Sequence, residues 1–203
     1  MDRNRRQFVL YGGAVAGASL LTIGILSLPL GLEPSKSDSS YDRLPNTILQ
    51  SQDGKSYRFY EDLVKDKIVA INFFYTKCRN VCRLTIQNLA ETQRLLGGRV
   101  GRDIFMYSIT LQPEIDTPET IKEYVKVYDV QPGWLFLRGS RADTDMLRRK
   151  FGLASSDPAI DADPNQHIGN IWFSNDATDR WAASTPFDSP EEIVETLLSV
   201  IPA

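Results

Sequence analysis

The chain has 203 residues, 42% of them hydrophobic and 24% charged, proportions that exclude disorder throughout and leave room for one globular domain with extensions. A formal net charge of −3 gives no electrostatic footprint for nucleic-acid binding. Two cysteines are too few for a disulfide-rich scaffold, and a single histidine excludes a His-rich metal site.

The N-terminus reads as a membrane or export element. Arg3, Arg5 and Arg6 precede a charge-free run of 26 residues from Gln7 to Leu32. That is longer than the ~20 needed to cross a bilayer and the ~7–15 of an ordinary signal core. Arg5-Arg6 followed by Gln7, Phe8 and Val9 resembles a twin-arginine export signal. Residues 1–32 are therefore expected to be an uncleaved anchor, crossing over residues 8–30, or a cleaved signal. Arginines ahead of the span keep the N-terminus inside, so the bulk of the protein faces the extracytoplasmic side. Residues 33–46, "EPSKSDSSYDRLPN", read as a polar tether, which leaves residues 47–203 as the folded domain.

In that domain, "TILQSQDGKSYRFY" sets two short runs about Asp53-Gly54, a hairpin signature. "KIVAINFFY" (Lys67 to Tyr75) is a continuous apolar run, the pattern of a strand buried on both faces. From Val81, Leu84, Ile86, Leu89, Leu95 and Leu96 recur at helical spacing up to a stop at Gly97-Gly98. "IFMYSITL" is a second buried strand, and Thr117-Pro118-Glu119 opens a helix to about Tyr128 with Thr as N-cap. "WLFL" is a third core strand; "ADTDMLRRKFG" suits a helix with acids first, bases last and Gly152 beyond it. "IGNIWFS" and "RWAAS" form a strand pair across "NDATD", and Ser189-Pro190-Glu191-Glu192 is a capping box that starts the last helix. A hairpin, then β-α-β-α-β-α, then β-β-α, predicts an α/β fold with a mixed central sheet and helices on both faces. With both cysteines at the first strand-to-helix junction, the order is thioredoxin-like.

Cys78 falls at the mouth of the first long helix and Cys82 in its first turn, where free backbone N–H groups and the helix dipole favour thiolate. Lys77, Arg79 and Arg83 add positive charge, and such surroundings take a cysteine from about 8.5 into the 3.5–7.5 range. A structural staple is the bland alternative, but a bridge closing so short a loop restricts the unfolded chain by only about 2 kcal/mol. Two inert buried thiols are a second alternative, against which the three bases argue. A redox couple remains open, although disulfide oxidoreductases commonly space their cysteines by two residues and here there are three. Side chains at i and i+4 share a helix face with Cβ atoms about 5–6 Å apart, wider than the ~3.8 Å of a disulfide. Two sulfurs so held could also grip a metal. The one imidazole, His167, lies in the polar loop ahead of "IGNIWFS", which in a thioredoxin-like fold faces the dithiol helix. A lone histidine is most often a surface residue; at this place a Cys-Cys-His set suits copper, with zinc possible if a fourth ligand joins.

"FFYTKCRNVC", "PEIDTPETIKEYV", "GWLFLRG", "KFGL" and "QHIGNI" together resemble the Sco/SenC family of membrane-tethered, thioredoxin-like copper proteins, from about Thr47 to Ala203. The resemblance implies copper ligation by Cys78, Cys82 and His167. It also implies delivery of copper or electrons to the copper subunit of cytochrome c oxidase, or to another extracytoplasmic copper protein. The chain departs from the family pattern at Arg83, where members carry Pro, at Gln112 in place of Asp, and at Gln166 and Ile168 around the histidine. A thiol–disulfide oxidoreductase using Cys78 and Cys82 on extracytoplasmic cysteines is the competing reading. Such exchange does not require His167, which therefore separates the two.

Overall fold

Three parallel strands carry the centre of the molecule: β3 (Ile68–Phe74), β4 (Ile104–Thr110) and β5 (Trp134–Arg138). On one side β1 (Ile48–Ser51) runs antiparallel to β5 and pairs in turn with β2 (Ser56–Arg58). On the other, β6 (Ile171–Asn175) runs antiparallel to β3 and is followed outward by β7 (Arg180–Ser184). The sheet is therefore mixed, in the order β2-β1-β5-β4-β3-β6-β7. The computed structural model describes residues 44–78, 81–163 and 169–202. The anchor or signal expected over residues 1–32 and all but the end of the tether lie outside them. No helix among the described residues is long and apolar enough to cross a membrane.

The alternating side chains of β3 explain its unbroken apolar sequence. Ala70 and Phe74 enter one buried cluster, and Val69, Ile71 and Phe73 enter the other. The first is closed by Ile86 and Leu89 of α1 (Val81–Leu96), Ile121 of α2 (Pro118–Val127), and Ile193 and Leu197 of α5 (Pro190–Ser199). The second is closed by Leu147 of α3 (Arg141–Lys150) and by Phe59 and Leu63 of a six-residue π-helical segment, Phe59–Val64. Phe151, just past α3, centres this side, with ring contacts to Phe73 at 5.4 Å and Trp172 at 5.3 Å. Each such side chain contributes about 1.5–3 kcal/mol through burial, so both faces are substantial cores.

Helix starts follow the capping chemistry in the sequence. Thr117 and Ser140 accept from the N–H groups of Thr120 and Asp143, and Ser189 and Glu192 form the reciprocal capping box. Four short elements among the described residues have no counterpart in the expectation: the π-helical segment, 3₁₀ turns at Gly97–Arg99 and Asp176–Thr178, and α4 (Pro158–Ala162). The α1 pattern also needs correction. Leu84 and Leu95 are 37% and 49% exposed, while Thr85, Thr92 and Gln93 are buried. Thr85 and Thr92 return their hydroxyl protons to the carbonyls of Val81 and Asn88, and Gln93 exchanges hydrogen bonds with the backbone of Gln131. Polar residues that satisfy themselves in this way occupy the buried face without the usual desolvation cost. Packing begins ahead of β1: Leu44 is partly buried against the second cluster, and Asn46 Oδ1 accepts from the Glu61 N–H at 3.1 Å.

Candidate metal centre

Strands β3 and β4 end together, with Phe74 opposite Thr110, and the Leu111 N–H extends the ladder to the Phe74 carbonyl at 2.8 Å. Beyond Phe74 the chain turns at once: the Cys78 N–H returns to the Tyr75 carbonyl at 3.1 Å, and α1 begins at Val81. The Cys82 N–H, one of the donors left free in the first turn of a helix, points at Cys78 Sγ at 3.4 Å. Both cysteines are free thiols. The two sulfurs expected to work together are thus brought to one turn by the end of a strand and the start of a helix.

Their burial corrects the expectation of accessible thiols, and that of an acidic Cys82. Cys78 is 7% exposed and Cys82 0%, within the same cluster as Phe74, Tyr75, Ile86 and Phe136. Lys77 and Arg83 are exposed, so their charges stand at the rim in water. Burial pushes the Cys82 thiol well above its ordinary value, the hydrogen bond with Cys78 adds to this, and nearby backbone N–H groups offset it only in part. The Tyr75 hydroxyl is pushed up for the same reason, burial first and contact with Cys78 second.

Two soft sulfur donors one helical turn apart, in a low-dielectric pocket, fit a soft monovalent cation that replaces their protons. Among the described residues no group of three or more His, Cys, Asp or Glu side chains stands ready to hold a metal. The predicted third donor His167, with Gln166 beside it, lies outside the described residues, as does Arg79. The chain that follows His167 is described: β6 sets Trp172 opposite Ile71, so Gly169 and Asn170 lead into it at the edge where Tyr75 leaves β3. Gln112 is near this edge too; its N–H donates to Thr110 Oγ1 at 2.9 Å.

The sequence reading passed over Asp116, which is fully buried. Its carboxylate accepts from the Thr76 N–H at 3.3 Å and from the hydroxyls of Thr76 and Thr110. The only signal in the sequence is an acid squeezed between Ile115 and the N-cap Thr117, and nothing in hydrophobic periodicity marks such a residue as interior. A polar cleft of about 360 Å³ opens between Gln112, Arg141, Asp145, Arg148 and Asp161, and neither thiol lines it.

A family model described as SCO1/SenC matches residues 48–201, nearly the whole of the folded region. The chain belongs to the SCO1/SenC family. A SCO2-like protein of Rickettsia felis is 29% identical to it over 146 residues, 68% of each chain. Among solved structures, Bradyrhizobium japonicum ScoI with copper bound aligns at a TM-score of 0.59 and 25% identity, over 76% of this chain and 97% of that one. BsSco, a member of the Sco family of cytochrome c oxidase assembly proteins in which a disulfide switch was identified, aligns at 0.57 and 20% identity over 75% and 90%. In this SCO1/SenC chain the dithiol therefore sits at the strand-to-helix junction of a mixed α/β fold with helices on both faces of its sheet.

Proposed function

We propose that this SCO1/SenC protein is a copper carrier held at the extracytoplasmic face of a membrane, which binds one copper ion through Cys78, Cys82 and His167. The observation that carries the reading is the pair of reduced, buried sulfurs joined by the Cys82 N–H to Cys78 Sγ contact, in a chain of this family. Copper is cargo here. Cu(I) displaces the two thiol protons and leaves a dithiolate complex with one net negative charge, which the exposed bases Lys77 and Arg83 favour. His167 supplies the harder nitrogen donor that Cu(II) requires. The place of BsSco in the Sco family of cytochrome c oxidase assembly proteins supports a recipient in that assembly, and release then runs by exchange of these ligands for sulfurs of the recipient.

In this reading residues 1–32 anchor or export the chain, residues 33–46 give the domain reach, and residues 47–203 carry the copper. The test is the metal content of the purified reduced protein. Wild type should hold one copper, Cys78→Ser and Cys82→Ser none, and His167→Ala should keep Cu(I) while losing the Cu(II) spectrum. Full Cu(II) retention with an unchanged spectrum in His167→Ala would overturn the ligand set.

A second reading is a thiol–disulfide reductase, favoured by the same short contact between the Cys82 amide and the Cys78 sulfur. It predicts turnover of a disulfide substrate that survives His167→Ala, and copper binding no tighter than that of a generic dithiol.

A further inference from the structure

We propose that Asp116 is a positioning residue for the dithiol: its buried carboxylate clamps Thr76, two residues ahead of Cys78, to Thr110 at the end of β4. Copper enters this inference only through the reading given above; the control of the thiols does not depend on it. The carboxylate is fully buried and forms no ion pair among the described residues, so its charge is held by neutral donors alone. A carboxylate kept inside a protein in this way is costly unless its hydrogen bonds are good. Both oxygens are engaged. Oδ1 takes the Thr76 hydroxyl, Oδ2 takes the Thr110 hydroxyl, and the Thr76 N–H lies 3.3 Å from each.

The clamp reaches further through its partners. Thr110 Oγ1 also accepts from the Gln112 N–H, and the Asp116 N–H donates to the Gln112 carbonyl at 2.9 Å. The turn after β4 is thereby fixed by the same carboxylate that fixes the turn after β3. Thr117, the next residue, caps α2. Between Phe74, the last ladder residue of β3, and Cys78, Thr76 is tied to Asp116 through both its N–H and its hydroxyl. A local link runs from the Cys78 N–H to the Tyr75 carbonyl at 3.1 Å. Fold stability alone would be served by an amide, which can accept at one oxygen and lets the threonine hydroxyls rotate to suit. Three donors converging on a carboxylate instead favour short, charge-assisted bonds that hold one geometry. What they hold is the turn that sets the Cys78 sulfur against the Cys82 amide.

The experiment uses the full chain in mild detergent and three variants: Thr76→Val, which removes one hydroxyl and keeps the backbone N–H; Thr76→Ser, which restores the hydroxyl; and Asp116→Asn. Three readouts are taken. They are the rate at which an aromatic disulfide reagent labels the thiols, the dithiol midpoint in glutathione buffers, and retention of Cu(I) against bicinchoninate. Thr76→Val and Asp116→Asn should label about tenfold faster and hold Cu(I) about tenfold more weakly, the order expected for loss of one charge-assisted hydrogen bond, with a displaced midpoint. Thr76→Ser should stay within about twofold of wild type, because its hydroxyl can remake the bond. The proposal is overturned if Thr76→Ser falls as far as Thr76→Val, since packing rather than the hydroxyl would then be at work. It is equally overturned if Thr76→Val and Asp116→Asn both keep the wild-type labelling rate and midpoint. Should wild type itself take up no copper, the proposed function fails, and labelling and midpoint still decide the clamp.

Discussion

Asp161→Ala tests how the chain ahead of residues 164–168 is held to the domain. Arg148, 7% exposed near the end of α3, sets both terminal nitrogens on the Asp161 carboxylate at 2.7 Å and reaches the Asp161 carbonyl at 3.1 Å. Asp161 Oδ1 also accepts from the Ser155 N–H at 2.8 Å. The planar fork-to-fork geometry makes this the strong kind of ion pair. Removing one member of a buried pair costs about 3–5 kcal/mol, because the other charge stays behind. The lower end applies: Asp145 Oδ1 remains 3.4 Å from Arg148 Nε, and the Asp161 side chain is itself 30% exposed. A loss of about 3 kcal/mol, with a urea slope near 2 kcal/mol/M, lowers the unfolding midpoint by about 1.5 M. Urea titration followed by circular dichroism reads it, and amide exchange at Ser155 shows whether α4 detaches first. Adding Arg148→Met should recover more than half of the loss, since an apolar side chain leaves no stranded charge. A single variant within about 0.5 kcal/mol of wild type, or a double variant no better than the single, would refute the reasoning.

Three further outcomes are expected. Oxidation should join Cys78 to Cys82, exclude copper and remain reversible by ordinary thiols; a midpoint below about −300 mV, the range of structural disulfides, would favour a staple instead. Arg83→Pro should leave the fold intact, because the third N–H of α1 has no intrahelical partner, and should weaken Cu(I) relative to Cu(II) by about 0.5–1 kcal/mol; an effect that does not shrink with added salt would contradict an exposed-charge origin. The reduced, copper-free protein should lose stability as the solution is made alkaline. Cys82 stays protonated in the folded state through burial, whereas an unfolded thiol ionises near pH 8.5, so its contribution is whole below about pH 8.5 and falls by up to ~1.4 kcal/mol per unit above it. Cys82→Ser should flatten that part of the pH profile.

Much of the architecture was legible because two signals are local. Strands β3, β4 and β5 announce themselves as apolar runs too continuous for a one-sided strand. Thr117 and Ser189 mark helix starts whose hydrogen bonds the fold then makes. What escaped depends on contacts distant in sequence or on polar residues that satisfy themselves. Six residues, Phe59–Val64, are too few to display a period, and their apolar side chains acquire a face only when Phe151 packs against Phe59. On α1, a hydrophobicity pattern ranks Leu84 above Thr85, yet Thr85 is interior because its hydroxyl is spent on the Val81 carbonyl. Asp116 escaped for the same reason, since its partners Thr76 and Thr110 come from two different strand ends.

The dithiol shows why counting nearby charges is not enough to assign a thiol's state. Exposed bases at a helix start each shift a neighbour by about 0.3–1 kcal/mol, well under one pKa unit apiece. Full burial moves an acid upward by as much as 3–5 units. With Cys82 wholly inside and Lys77 and Arg83 in water, burial wins by magnitude, and the direction of the Cys82 shift agrees. The two influences act on different states of the site. Burial keeps the Cys82 thiol neutral and protects it from chance alkylation or oxidation, because the reactive form is the thiolate. Once a cation has replaced the protons, the complex carries a negative charge that the rim bases can favour, and they do so at little desolvation cost because they never leave the solvent. Lys77 and Arg83, too weak to activate the buried Cys82 thiol, are thus placed to favour a negatively charged, loaded dithiolate.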